Sequence, residues 1–266
     1  MREPIANIAI EAALAAGKLI IRAMQRMDTV KISEKKPNDF VTETDQRVEQ
    51  EIIAIIHRAY PSHSILGEES GEQKGDSDYQ WVIDPIDGTR NFIHGFPYFA
   101  VSIAVLHKNK IEHGVIYDPI HQELFTASRG KGAYLNQRRI RVGQRKRLEE
   151  CLIGTGFAYR HTDKDSPLPS HILQSILPIC GDIRRAGAAT LDLAYVACGR
   201  LDGFWEMGLK LWDIAAGILL IKEAGGVVSD LYGSEDYLKT GHVVASNPMI
   251  IRQILKTIKP VLDETL

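Results

Sequence analysis

Cysteine is scarce in this 266-residue chain: Cys151, Cys180 and Cys198 stand far apart, with no CxxC pair. An odd, scattered set fits neither a disulfide framework nor a zinc site, and it reads as structural thiols in a reducing cytoplasm. The nine histidines form no H-x-x-H or H-E-x-x-H pattern, which leaves zinc hydrolase chemistry without its ligands. G-x-S-x-G and P-loop strings are also missing, so serine hydrolase and common NTPase readings fall away. Nor does either sign of charge dominate: 32 basic residues face 34 acidic ones, for a formal net charge of −2. That balance gives no indication of a nucleic-acid or membrane-surface partner.

Long apolar runs are absent as well. The most hydrophobic early segment, Ile5 to Met24, is interrupted by Asn7, Glu11 and Lys18, which argues against a secretory leader or a membrane span. Ile5, Ile8, Ala12, Ala16, Leu19 and Ala23 step by three and four, the spacing of an amphipathic helix packed on a core. There is no internal repeat, low-complexity tract or Pro/Ser-rich linker, so residues 1–266 are read as a single domain.

A hydrophobic share of 44% and a charged share of 25% belong to an ordinary folded chain. A second helix is predicted from about Thr44 to Tyr60, ahead of Pro61, followed by short strands "HSIL" and "YQWVID" and a polar surface loop from Ser70 to Asp78. "FAVSIAVLH", "KIEHGVIYD", "QELFTAS" and "GAYLN" read as an antiparallel meander. The last third alternates strand "CLIGTGF", a helix near His171–Pro178, strand "GDIRRAG", a helix over Thr190–Cys198 and strand "GFWE". A helix over Trp212–Ala224, strands "GVVSD" and "HVVAS", and a helix near Met249–Val261 complete it. The class is α/β with layered sheets and helices.

The chemistry concentrates in "WVIDPIDGTRNF", residues 81–92. Asp84 and Asp87 crowd like charges into four residues, which needs a proton, a basic partner or a cation as counterweight. Asp84, the Ile86 carbonyl and Asp87 offer hard oxygen donors of the kind that select magnesium, manganese or calcium. Gly88 and Thr89 begin a turn or helix whose amides suit phosphate. The same string also fits an Asp-Pro turn capping a helix, and these residues alone leave both readings open. Three further acidic positions weigh against the turn: Asp45 in "VTETD", Glu68 in "GEES" and Asp213 in "LWDIAAG", at strand ends or helix starts.

In order, "DFVTETD", "GEES", "WVIDPIDGTRNF" and "LWDIAAGILLIKEAGG" resemble the signature segments of the inositol monophosphatase family, and "LDLAYVACGRLDGFWE" resembles its bacterial inositol-1-monophosphatase branch. The resemblance covers nearly the whole chain. It implies an α-β-α-β-α sandwich, homodimers, and magnesium-dependent, lithium-sensitive hydrolysis of inositol monophosphate, with two or three magnesium ions per site and manganese as a substitute. Mapped onto matching positions, Glu68, Asp84 and the Ile86 carbonyl resemble the ligands of one metal. Asp84, Asp87 and Asp213 resemble those of a second. Asp45 and Thr89 match the pair that positions and activates the attacking water, and Glu68, the third catalytic position, also reaches a third metal through water. Substrate contacts map to Glu68, Asp87, Gly88, Thr89, Gly187, Ala188, Ala189, Glu206 and Asp213.

Several positions depart from that pattern or carry less of it. Ala188 and Thr190 stand where relatives often place Ser or Thr and then Ala. Arg90 follows Gly-Thr, where a small polar residue is common; it reads as a phosphate contact, a contact to a neighbouring subunit, or a solvent-facing cation. Lys36 resembles a basic residue preceding the first acidic motif, and also reads as a solvated loop charge. Two alternatives stay open. The same chemistry could act on 3′-phosphoadenosine 5′-phosphate, fructose 1,6-bisphosphate or histidinol phosphate, or the chain could serve mainly as a regulatory protein-binding partner.

Overall fold

Proline at its first turn and a stripe of small residues define helix α1 (Pro4–Met24), which buries Ala6, Ala9, Ala12, Ala13, Ala16, Gly17 and Ile20. By length and hydropathy α1 could cross a membrane. Here it lies against α2 (Glu43–Ala59) and a sheet face instead, as the stepping of its apolar residues predicts. Small residues allow close approach: a Cβ at Gly17 would overlap the Tyr117 ring. The computed structural model describes residues 3–26, 32–36, 39–157 and 167–264, with backbone alone at 32–36 and 39–41. The side chain of Lys36 therefore lies outside the described residues.

A separate hairpin, β1 (Ile32–Lys36) and β2 (Asp39–Thr42), leads into α2. The large sheet contains β3 (Ser64–Gly67), β4 (Gly71–Gln73), β5 (Tyr79–Asp87), β6 (Ala100–His107), β7 (Lys110–Asp118), β8 (Glu123–Ser128), β9 (Gly132–Leu135) and β10 (Arg138–Arg139). Its spatial order is β10-β9-β8-β7-β6-β5-β3-β4. The meander is antiparallel, as its short strand-like segments separated by turns indicate, and within this sheet β3 and β5 run parallel. The predicted loop over Ser70–Asp78 is corrected in part. Gly71 has φ +71°, so the chain reverses tightly and β4 pairs with β3 as a short polar edge strand.

A smaller sheet has the order β12-β11-β13-β15-β14. Its strands are β11 (Leu152–Thr155), β12 (Asp182–Arg184), β13 (Gly203–Glu206), β14 (Val227–Ser229) and β15 (Val243–Ser246). The helices interleaved with them are α4 (Leu168–Ile176), α5 (Ala189–Ala197), α6 (Leu211–Glu223), the short α7 (Tyr237–Thr240) and α8 (Pro248–Asp263); the one-turn α3 (Thr89–Ile93) follows β5. Helix α4 starts three residues before its predicted position. The hairpin β1–β2, β10, α7 and a 3-10 turn at Leu148–Glu150 were not foreseen, being too short for a hydrophobic period.

Three cores hold five layers together. One joins α1 and α2 to the large sheet, a second encloses α5 and α6 between the two sheets, and a third joins the small sheet to α4 and α8. The architecture is thus the α-β-α-β-α sandwich. Helix α6 is buried all round from Asp213 to Ile221, which is why its sequence is nearly uniformly apolar after its first turn. Strand β6 is covered on both faces and reads as a continuous apolar run rather than an alternation. Where α6 crosses β7 the backbones nearly touch, because a Cβ at Gly114 would lie 2.9 Å from the Ala216 carbonyl oxygen. Gly114→Val is expected to destabilise the protein by about 1–3 kcal/mol, as overpacking does. Urea unfolding reads this as a lowered midpoint; an unchanged midpoint would show that the layers can separate freely.

Candidate active site

Strand β5 carries the central carboxylates, and its irregularity explains how both face one way. In a regular strand residues three apart point to opposite faces. Here Asp84 pairs with Ser102 and Asp87 with Ala100, so β5 spends one residue more than β6 across the gap. Pro85 sits inside this bulge, where a missing N–H costs no ladder bond. The Ile86 amide donates to Asp84 Oδ1 at 3.1 Å and fixes the bulge from within. Gly88 follows with φ +91°, and a Cβ there would press on the Tyr98 carbonyl oxygen at 3.0 Å and the Ala188 Cβ at 3.2 Å. Only glycine fits that conformation and that gap at once.

Carboxylate oxygens of Asp84, Asp87 and Asp213 lie within 4.8 Å of one another. Asp213 is positioned by the start of α6, where its Oδ2 accepts from the Lys210 amide at 2.7 Å. Asp87 is positioned by the start of α5: the amide and hydroxyl of Thr190 both donate to its Oδ2 at 2.7 Å. Glu68, just beyond β3, stands close enough to Asp84 to oppose its ionisation. Burial first, then Glu68, Asp87 and Asp213, push the Asp84 carboxyl well above the usual carboxylate range. Carboxylates crowded and buried in this way need a proton or a cation to offset their charge. A hard cation is the natural replacement for that proton, and the all-oxygen donor set fits magnesium or manganese.

A second device stands beside it. Thr89 Oγ1 lies 3.0 Å from Asp45 Oδ1 and 3.0 Å from the Ile86 carbonyl oxygen, so its single proton has two candidate acceptors. Asp45 is fully buried at the start of α2, where its Oδ2 accepts from the Thr42 amide at 2.9 Å and the Thr42 hydroxyl at 2.5 Å. Thr42 in turn accepts from the amides of Thr44 and Asp45, completing a capping box. Burial raises the Asp45 pKa, opposed by these bonds from Thr42 and Thr89.

The facing wall is built by β13 and the start of α5. Glu206, at the end of β13, is 8% exposed. Its carboxyl is raised well above its ordinary range by burial, then by Asp192, Asp213 and Asp87, with Arg185 opposing. A Cβ at Gly156 would overlap this carboxyl, so the glycine makes its room. Gly187 has φ +90° and leads through buried Ala188 and Ala189 into α5. Asn91 ties this wall to the metal-side loop, donating to the Tyr98 carbonyl at 2.7 Å and the Ala186 carbonyl at 2.9 Å.

The structure therefore gathers Asp45, Glu68, Asp84, Ile86, Asp87, Gly88, Thr89 and Asp213 on one side and Gly187, Ala188, Ala189 and Glu206 on the other. Arg90 and His94 are exposed on the rim. Sequence reasoning missed Thr42, Glu49, Gly156 and Asp192. Glu49 is 2% exposed and accepts from the amides of Glu69 at 2.9 Å and Ser70 at 2.7 Å, holding the Glu68 turn. Its signal was available: an acid on the buried face of α2, four residues after Asp45. Asp192 is also buried, accepts from the Tyr98 hydroxyl at 2.7 Å, and is pushed up to about 8, chiefly by desolvation.

The family model of the inositol monophosphatase family matches residues 1–262. This chain belongs to the inositol monophosphatase family. It is accordingly a phosphatase of that superfamily, whose members are generally metal dependent. Among its relatives, the protein called Nus factor SuhB of Pseudomonas aeruginosa is 52% identical over 269 residues, covering 99% of each chain. The structure of extragenic suppressor protein suhB from Bartonella henselae superposes with a TM-score of 0.93 at 43% identity, covering 97% of this chain and 99% of that one. An inositol monophosphatase from Anabaena gives a TM-score of 0.85 at 39% identity, covering 96% and 95%. In this member of the inositol monophosphatase family Asp87 is aimed from the start of α5 by Thr190. Thr190→Ala removes the hydroxyl donor and leaves the amide, and is expected to weaken the apparent affinity for an activating divalent metal about 10- to 100-fold. Magnesium titration of turnover checks it; an unchanged half-saturation would mean the amide alone orients Asp87.

Proposed function

We propose that the chain hydrolyses inositol monophosphate to inositol and phosphate in a magnesium-dependent reaction, with other sugar or polyol phosphates as secondary substrates. The observation that carries this reading is the convergence of Asp84, Asp87 and Asp213 beside the Thr89–Asp45 pair. Glu68, Asp84, Asp87, Asp213 and the Ile86 carbonyl are the oxygens that would hold two or three magnesium ions, with manganese substituting and lithium inhibiting. Bound there, divalent cations supply charge for the phosphate and leaving oxygen and lower the pKa of a water.

The chain's own groups do the rest. The Thr89 hydroxyl orients the attacking water, and Asp45 Oδ1 takes up its proton through Thr89, as a buried carboxyl of raised pKa is suited to do. The amides of Gly88 and Thr89, at a helix start without intrahelical acceptors, face the phosphate. Asp87, Glu206 and the backbone over Gly187–Ala189 accept from the ring hydroxyls, each of which is a donor. Ala188 offers no hydroxyl of its own, which leaves polyol selection to Glu206 and its neighbours. The same reading makes the protein a cytoplasmic homodimer.

A second reading is favoured by one finding: relatives about half identical to this chain carry the name Nus factor. That supports a regulatory protein-binding role beside the phosphatase.

Phosphate release from inositol 1-phosphate, fructose 1,6-bisphosphate and 3′-phosphoadenosine 5′-phosphate, with and without magnesium, tests the substrate. The inositol ester should turn over fastest and only with magnesium; a faster rival ester would move the substrate within the superfamily. Asp84→Asn should lower kcat by roughly 10²- to 10³-fold with the fold intact. If that inactive protein captures the same protein partners as wild type, the regulatory reading stands independently of catalysis.

A further inference from the structure

The near-neutral total charge conceals a local asymmetry. Residues 129–148 contain eight basic side chains, Arg129, Lys131, Arg138, Arg139, Arg141, Arg145, Lys146 and Arg147, and no acidic one. That leaves 24 of the 32 basic residues against all 34 acidic ones for the rest of the chain. The segment runs from β9 and the edge strand β10 along an irregular strap that crosses to the small sheet.

The strap is anchored from beneath through its backbone. Ile140 N donates to the Ala133 carbonyl at 2.9 Å, and Asn247 Nδ2 donates to the carbonyls of Gly143 and Arg145 at 3.0 Å each. Gln253 clasps its far end, donating to the Lys146 carbonyl at 2.8 Å and accepting from the Leu148 amide at 3.1 Å. With the backbone held inward, Lys131, Arg138, Arg139, Arg141, Arg145, Lys146 and Arg147 are all exposed. Some of this charge is spent locally: Arg145 pairs with Asp202, Arg147 with Glu149 and Glu150, and Arg129 with Glu112. Glu223, beside the strap, is engaged by the amides of Gly130 and Gly132. Among the described residues no carboxylate pairs with Lys131, Arg138, Arg139, Arg141 or Lys146. A pocket of about 650 Å³ opens along the strap, lined by Gly143, Gln144, Arg145, Lys146, Arg147 and Asp202 among others.

Protection of an exposed sheet edge would account for Arg138 and Arg139, since cations on edge strands prevent strand pairing. It does not account for the continuation past the edge, where Arg141 to Arg147 lie on no strand. Arginine predominates over lysine, and its planar fork matches phosphate oxygens in pairs. The charges follow one line of chain from β10 along the strap, which suits a linear polyanion. Half-buried Tyr134 is the aromatic side chain within the segment, so phosphates rather than stacked bases are what it can read.

We propose that this strap binds a single-stranded nucleic acid through its phosphates, without sequence preference and apart from the carboxylate site. The test is fluorescence anisotropy of a labelled 20-nucleotide oligouridylate with the full-length protein across a salt series. The expected dissociation constant is about 10⁻⁶–10⁻⁴ M at moderate salt. The slope of log affinity against log salt should be about −2 to −3.5, for three to five engaged cations. The combined variant Arg138→Glu, Arg139→Glu, Lys146→Glu should bind at least about tenfold more weakly while keeping its phosphatase rate, and the milder Gln triple should show the same direction if the reversal harms folding. Inositol 1-phosphate should not displace the strand. Absence of binding at low salt, a flat salt dependence, or unchanged affinity in both triples would overturn the proposal. So would polyglutamate of equal charge displacing the strand as effectively as unlabelled oligouridylate, since the surface would then suit an acidic protein segment.

Discussion

Like charge held in a small buried volume is the constraint on which the rest of this structure depends. Asp84 is buried, and burial, Glu68, Asp87 and Asp213 all oppose its ionisation. Such a group is costly unless a proton or a cation compensates it. The bulge in β5 creates the crowding by turning both aspartates of D-P-I-D the same way, and the surrounding layers keep it from relaxing. Pro85, Gly88 and the Ile86 amide leave the loop little freedom to swing either carboxylate out to water.

The five-layer arrangement supplies part of the compensation through backbone. Helices α2, α5 and α6 all begin at the site: Asp45 and Asp213 sit in the first turns of α2 and α6, and Asp87 accepts from the first turn of α5. Acidic groups at helix starts gain about 0.3–1 kcal/mol each from the aligned peptide dipoles. Sums of that size soften the repulsion without removing it, so the acids are arranged for a cation rather than against one another. Gly114 and Gly217 serve the same end at a distance. By letting α6 close on β7 and on Leu193 of α5, they set where Asp213 stands relative to β5.

Much of this was legible in the sequence because the chemistry is written locally. The string around Asp84 and Asp87, Asp45 near a helix start, and Glu68 after a strand each carry their signal within a few residues. Helix α1 was legible by its period, and the meander by short apolar segments separated by turns. What escaped detection acts across long separations in unremarkable local contexts. Glu49 holds a turn twenty residues away, Thr190 holds Asp87 across 103 positions, and Gly156 makes space for Glu206. Asp192 reads as one more polar residue in a helix until Tyr98 is seen above it. The short elements β4, β10 and α7 escaped for a different reason: two to four residues cannot display a period, and tertiary neighbours decide their conformation.

Thermal unfolding with and without magnesium, on wild type, Asp84→Asn and Asp213→Asn, tests the compensation of crowded carboxylates most directly. Asparagine keeps the oxygen that accepts from the Ile86 or Lys210 amide and removes the charge. The account predicts that magnesium raises the wild-type midpoint. It also predicts that both variants unfold above wild type when magnesium is removed, and that magnesium then adds little to either. A wild-type midpoint indifferent to magnesium, together with variants less stable than wild type without it, would contradict the central claim.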